Sequence, residues 1–351
     1  MKKKTFAFLI ALLTFVVGVG LARFSLPNLP NPPAVPQKKE IQVSNYRLSG
    51  PYQHENLTIY LIHGPDQSRR MFTPLEQAMQ RKTVIVHETS DVNELAIENM
   101  SASEEVFVQA GDIVKGGQQD RVLAVDLIVP AKSGKMPIAA FCVENGRWTR
   151  RGAEATDHFS MSADMASTKD LKIAARREAS QTMVWDEVRK AQEKLAAGVA
   201  ADVRSRQSGS SLQLSLEHGK VQESASAYVS KLSSIVESSN DVLGFAFAIN
   251  GKLNSADVFS STALFRRFWP RLLKTAAIEA VAERMSDEEY ELVSIAATGE
   301  FLVGCERGAE TLNEITKRTH MLKREAEKGI FFETRDMDDH GVWIHRSYLT
   351  K

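Results

Sequence analysis

The chain has 351 residues, 43% hydrophobic and 25% charged, and its 44 basic and 44 acidic side chains leave a formal net charge of zero. That is ordinary globular composition, enough to bury a core. No basic excess points to nucleic acid and no acidic tail to a cationic partner. The two cysteines, Cys142 and Cys305, stand in no CxxC, zinc-ribbon or haem-attachment spacing.

Lys2-Lys3-Lys4 precedes an uncharged apolar run, residues 5–22, and Arg23 follows it. As a helix the run would reach about 27 Å, just short of the ~30 Å hydrocarbon layer. Two readings stand: a signal peptide cut after Gly20-Leu21-Ala22, or an uncleaved membrane anchor. The run is long for a signal peptide, which favours the anchor. In both, the lysines hold the N-terminus inside and the chain exits to the far side. Residues 23–40 hold five of the 11 prolines and read as an extended spacer. The folded part, 41–351, is therefore expected outside the cytoplasm, membrane-anchored or secreted. A Cys142–Cys305 bond is open there, although Cys142 lies in the apolar run Ile138–Val143 and reads as a small buried hydrophobe.

Residues 41–148 read as a mostly antiparallel β-half. Strands are expected from Ile41 to Leu48, Leu57 to Ile62, Thr83 to His87, Leu95 to Asn99, Val106 to Gln109, Val122 to Val129 and Ile138 to Val143. Thr73-Pro74-Leu75-Glu76 reads as a helix start, with threonine as the cap and proline in the first turn. Residues 149–168 carry no period. The helical part, 168–238, shows two apolar stripes: Val184, Val188, Ala191, Leu195, then Val221, Ala225, Tyr228, Leu232, Ile235. A helical hairpin packed on the sheet is the simplest reading. In 241–351, Phe245, Phe247 and Ile249 face one way, and Gly244, Ala246 and Ala248 form a small face that lets a helix approach. Asn250-Gly251 signals a hairpin. Leu264, Phe268, Leu272, Ala276 and Ala280 mark a helix face that Pro270 kinks or divides. A last strand is expected near Val342-Trp343-Ile344. The fold class is α+β: a β-rich half, a helical hairpin, then an α/β part.

Three separated blocks, GDIVKGGQQDRVLAVDLIVPA, PIAAFCVENGRW and GFAFAINGKLNSADVFSSTALFRRFWPRLLKTAAIEA, resemble the ARG and rhodanese-phosphatase-superfamily-associated protein domain family over roughly residues 50–345. That family carries a G-A-K-Q-N-R-like turn, where this chain has Lys115-Gly116-Gly117-Gln118-Gln119-Asp120-Arg121. The family's name records association with ADP-ribosylglycohydrolase-like and rhodanese-phosphatase proteins, so the resemblance implies nucleotide or phosphate chemistry nearby.

The turn is the candidate site. Gly116 and Gly117 permit backbone geometry closed to other residues. Lys115 and Arg121 are suited to holding an anion, and Gln118 and Gln119 to orienting a polar ligand. Asp112, Asp120 and Glu144 are the candidate acid–base groups, with Arg147 beside them. The competing reading is a tight turn whose Asp120 and Arg121 pair with neighbours. Likewise Glu144 and Arg147 form an internal ion pair and Trp148 is core, or all three join the polar site. Trp269 reads as packing and Arg271 as a helix-surface charge. Asp338-Asp339-His340 with His345 reads as a solvated turn before a metal site. The eight histidines include no HExxH and the serines no G-x-S-x-G elbow. No cofactor or metal is expected. The favoured function is a non-enzymatic module binding a small polar or anionic ligand or an envelope protein. The alternative is a hydrolase-like enzyme acting on a nucleotide-, ADP-ribose- or phosphate-containing substrate.

Overall fold

The computed structural model describes residues 39–43, 45–166, 168–284 and 289–351. The expected leader, residues 1–22, and nearly all of the spacer lie outside them. No helix among the described residues is long and apolar enough to cross a membrane.

Strands β1 (Lys39–Val43), β2 (Tyr46–His54) and β3 (Leu57–His63) pair antiparallel in sequence. β3 is buried along its whole length because both faces are covered. Leu57, Ile59 and Leu61 enter one apolar cluster, Tyr60 and Ile62 another. The chain then builds a second layer: β4 (Thr73–Pro74), α1 (Leu75–Gln80), β5 (Val84–His87), β6 (Glu94–Asn99), β7 (Val106–Val108), β8 (Asp112–Gly116), β9 (Arg121–Leu123), β10 (Leu127–Val129), β11 (Lys135–Cys142) and β12 (Phe159–Met165). Six of these strands form a sheet in the order β12-β8-β9-β11-β6-β5, and β10-β7-β4 form a small one. The outer strands β12 and β5 meet at a single bridge, His87 to His158. The six-stranded sheet thus curls around an apolar interior that includes Val86, Ile97, Val114, Leu123 and Ile138.

Helices α2 (Lys169–Arg176), α3 (Gln181–Gly198), α4 (Leu212–Leu216) and α5 (Gly219–Leu232) follow, then a 3-10 turn, Ser233–Ser238. After them come β13 (Val242–Ile249), β14 (Lys252–Phe259), α6 (Thr262–Ala282), α7 (Ile295–Cys305), β15 (Ala309–Glu314), β16 (Thr319–Glu325), β17 (Gly329–Asp336) and β18 (Val342–Thr350). The last strands join the first in one nine-stranded antiparallel sheet, order β1-β2-β3-β13-β14-β18-β17-β16-β15. The architecture is α+β, and its central sheet unites the two ends of the chain.

Several expectations are corrected. Thr73 does not cap α1: its N–H goes to Glu105 O at 2.9 Å in a short parallel pairing, and Pro74 stands at the cap with no side-chain bond. The run Val122–Val129 is two strands in different sheets, because Ala124-Val125-Asp126 carries the chain from one sheet to the other. Phe159–Met165 is a strand although its serine, alanine, aspartate and methionine residues give no β-branched signal. The α3 and α5 stripes do not close on each other as a hairpin; both pack against α6. That helix runs through Pro270 without dividing. The Asn250-Gly251 turn does join β13 to β14, with φ of 49° and 68°.

Gly244 is small for a neighbour other than a helix. A Cβ there would lie 2.2 Å from Asp257 O and 2.7 Å from Val258 Cα, both backbone atoms of β14. Gly304, inside α7, has open space around it. Gly244→Ala is therefore expected to cost about 1–3 kcal/mol by overpacking. Gly304→Ala is expected to gain up to about 1 kcal/mol from helix propensity. Urea unfolding of both variants checks the contrast; equal effects would remove the close-approach explanation.

Candidate functional site

The glycine turn is shaped by what lies against it. Gly111, Gly116 and Gly117 have φ of 99°, 115° and 53°. A Cβ on Gly117 would sit 2.5 Å from the Phe159 ring and 2.8 Å from Glu88 Oε2. The double glycine thus lets β12 close over the β8–β9 turn.

The charges around that turn are spent on one another. Asp120 accepts from Arg151 at 2.7 and 2.9 Å, from Ser211 Oγ at 2.8 Å and from Gly116 N at 3.1 Å. Glu144 lies 2.7 Å from Arg147 and accepts from Asp120 N at 3.1 Å. Arg147 also donates to the carbonyls of Gly116 and Gly117. Asp120 and Glu144 are fully buried. Burial dominates at Asp120 and pushes its carboxyl up despite Arg151. At Glu144 burial pushes the same way, but hydrogen bonds from Arg147 and Ser208 outweigh it and hold the carboxyl below its ordinary value.

The remaining candidates point elsewhere. Lys115 pairs with Glu217 at 2.7 Å at the end of α4. Gln119 donates to Glu144 O at 2.8 Å, and the Gln118 N–H donates to Glu88 at 3.2 Å. Arg121 is buried beside Glu88, at 3.7 Å, and contacts Gln119 and the Cys142 thiol. Both cysteines are buried and free, so the Cys142–Cys305 bond is not formed. Asp112 lies in a separate cluster, 2.6 Å from Arg271. Arg271 is therefore buried rather than a surface charge, because it must meet that carboxylate. Burial pushes the Asp112 carboxyl up against Arg271. Trp148 is 49% exposed and belongs to no core, since Asn145-Gly146 turns the chain outward. Trp269 does pack, against Phe245 and Phe265.

Two constellations escaped the sequence. Ser49 Oγ stands 2.7 Å from His63 Nε2, and His63 Nδ1 stands 2.9 Å from Asp241. This hydroxyl–imidazole–carboxylate line ties β2 and β3 to the start of β13, with Ser49 and His63 buried. Only strand pairing brings the three together, so no local motif announces them. His345, far from a metal role, is clamped between Asp126 at 2.9 Å and Asp257 at 3.1 Å, and Asp126 also takes Arg176 at 3.0 Å. Among the described residues no group of His, Cys, Asp or Glu could hold a metal ion.

Two large cavities stand out, one away from the turn and one bordered by Phe159, which packs on it. A cleft of about 880 Å³ opens between the start of α2, the β13–β14 hairpin and the end of α6. Glu279 lines it and is buried; burial pushes its carboxyl up. Asn56, Asn250, Lys252, Asn254 and Tyr290 line it too. A groove of about 690 Å³ lies where β5 and β12 diverge, lined by Met79, Met100, Met161, Val84 and Ile85 with Glu76 at its side. Burial also raises the Glu76 carboxyl, although Arg271 is 3.3 Å away. None of the turn's candidate side chains lines either cavity.

A family model, the ARG and Rhodanese-Phosphatase-superfamily-associated Protein domain, matches residues 45–349. No curated protein and no solved structure matches the chain.

The His345 clamp has a pH signature. Burial would lower its pKa, but Asp126 and Asp257 outweigh burial and raise it above 6.5. A raised value stabilises the fold fully below the unfolded pKa near ~6.5, and that stability is lost as pH rises through the folded value. The lowered carboxyls of Asp126 and Asp257 act oppositely, losing stability as pH falls. His345→Gln is expected to flatten the alkaline decline of unfolding free energy and to weaken the acid decline as well, because, against burial, His345 helps to lower Asp257 and, with Arg176, Asp126. An unchanged alkaline decline would mean that His345 does not carry it.

Proposed function

Since the chain belongs to the ARG and Rhodanese-Phosphatase-superfamily-associated Protein domain family, whose name records association rather than chemistry, we propose from its site that it is an extracytoplasmic module, membrane-anchored or secreted, that takes a small polar ligand in the 880 Å³ cleft. The observation that carries this reading is the contrast between two places. Around the glycine turn the charged groups are paired off, Asp120, Glu144, Arg147 and Arg151 in burial and Lys115 with Glu217 nearer the surface. The cleft instead combines volume, several converging polar groups and a buried carboxyl with a raised pKa, the features of a ligand seat. The uncharged run 5–22 behind three lysines, followed by the proline spacer, supports the location.

One observation favours a second, hydrolase-like reading. Glu76 carries a raised carboxyl beside the apolar groove, and Arg271 links it to the buried Asp112. In that reading Glu76 is the acid–base group and Asp112 sets the orientation of Arg271.

A thermal-shift screen of the full-length chain with nucleotides, ADP-ribose, sugar phosphates and amines tests the first reading. A stabilising compound is expected whose effect is lost in Asn254→Leu and kept in Lys115→Ala. The opposite pattern would move the seat to the turn. Protease added to cells whose outer layers are opened but whose cytoplasmic membrane is intact is expected to cut the folded part; digestion only after that membrane is broken would place it inside.

A further inference from the structure

The floor of the cleft is built around one hydrogen-bonded pair. Glu279, 4% exposed, accepts at Oε1 from Lys169 N at 2.9 Å and from Asn254 Nδ2 at 2.9 Å. With its Nδ2 on the carboxylate, the Asn254 amide has its carbonyl turned away. Asn254 is only 9% exposed, lines the cleft, and its Oδ1 has no hydrogen-bond partner. A buried acceptor without a donor is costly, and its neighbour in the cleft floor is a carboxylate. The missing complement is a donor that also carries positive charge.

The rim agrees. Five carboxylates line the cleft against three cations. Glu55 is paired with Arg284 at 2.9 Å, Asp170 lies 3.8 Å from Lys169 and Glu283 pairs with Lys194 at 2.5 Å, which leaves Glu279 on the floor and Glu289 and Lys252 on the rim. An anion reaching the floor would meet the Glu279 carboxyl and an unpaired carbonyl oxygen. An ammonium group supplies three donors and no acceptor.

We propose that the cleft is the seat of an ammonium-bearing small molecule, whose N–H groups satisfy Asn254 Oδ1 and the Glu279 carboxylate. The proposal rests on the cleft being the ligand seat and goes beyond it in naming the ligand's charge. It replaces the anionic ligand expected from the turn, because the turn's Lys115 and Arg121 are engaged with Glu217 and Glu88.

Isothermal titration of the full-length chain with 1,5-diaminopentane, 1,5-pentanediol and glucose 6-phosphate tests it. The diamine is expected to bind, and the diol and the phosphate are not. Glu279→Gln keeps the shape and removes the charge, and is expected to weaken diamine binding about tenfold or more, a loss of about 1.4 kcal/mol per decade. Glu289→Gln at the exposed rim is expected to change it by no more than about twofold. Should Glu279→Gln lose cooperative unfolding, Asn254→Leu, which cannot accept a hydrogen bond, serves in its place and is expected to weaken diamine binding to the same extent. Glucose 6-phosphate binding that is lost in Asn254→Leu would overturn the cationic ligand while keeping the cleft. Failure of the diamine to bind, with another class of compound still stabilising the protein through Asn254 in the thermal screen, would do the same. Diamine binding unaffected by Glu279→Gln and Asn254→Leu would place the amine elsewhere and overturn the proposal.

Discussion

Arg151 reaches both carboxylate oxygens of Asp120, at 2.7 and 2.9 Å, inside a cluster that also holds Glu144 and Arg147. Two acids and two guanidinium groups so deeply buried are tolerable only together. Each loses its water, and only the opposite charge and the surrounding donors offset that loss. The glycine turn depends on this pairing, because Asp120 also holds the Gly116 N–H and Arg147 holds the Gly116 and Gly117 carbonyls. The turn in turn admits Phe159, which lets β12 complete the curled sheet. Residues that look like chemistry in one dimension thereby serve as the cross-braces of a fold.

The same device recurs where distant parts of the chain meet. Asp112 on β8 pairs with Arg271 on α6, and Asp126 pairs with Arg176 and His345. Glu105, just before β7, pairs with Arg318, which also holds Asp336 at the end of β17. In each case an acid from the N-terminal layer finds its base in the helices, the C-terminal strands or the turn before β16. Apolar clusters on both faces of the nine-stranded sheet supply the bulk of the burial. The ion pairs fix how the layers register on them, since a shifted layer would leave charges buried and alone. With the turn committed to that task, the proposed ligand seat is the cleft between α2, the β13–β14 hairpin and α6.

Much of the fold was legible in residue patterns. β3, β5, β6 and the β13–β14 hairpin follow their β-branched and aromatic runs and the Asn250-Gly251 turn, and α3 and α5 follow their stripes. Strand β12 was not, because Phe159–Met165 lacks β-branched residues, and α2, inside the span 168–238 read as helical, left no stripe of its own because it is only eight residues long. Edge strand β15 is nearly all polar and exposed, so it carries no alternation to read. At the candidate site, the Glu144–Arg147 pair was visible as an i,i+3 possibility. Its neighbour Arg151 was not, because it comes from a stretch without period and is assigned only by its contact with Asp120. Asn254 and Glu279 lie 25 positions apart, on a strand and a helix, and meet only once α6 has packed on the sheet.

The central claim is that the charges of the turn are structural, and urea unfolding of a double-mutant cycle tests it most directly. Arg151→Met alone strands Asp120, while Glu144 keeps Arg147 at 2.7 Å, and should cost about 3–5 kcal/mol. Adding Asp120→Asn should return a large part of that loss, since the uncompensated charge is then gone. A single Arg151→Met variant that keeps its stability while losing its response to ligand would contradict the account and return the turn to the role of binding site.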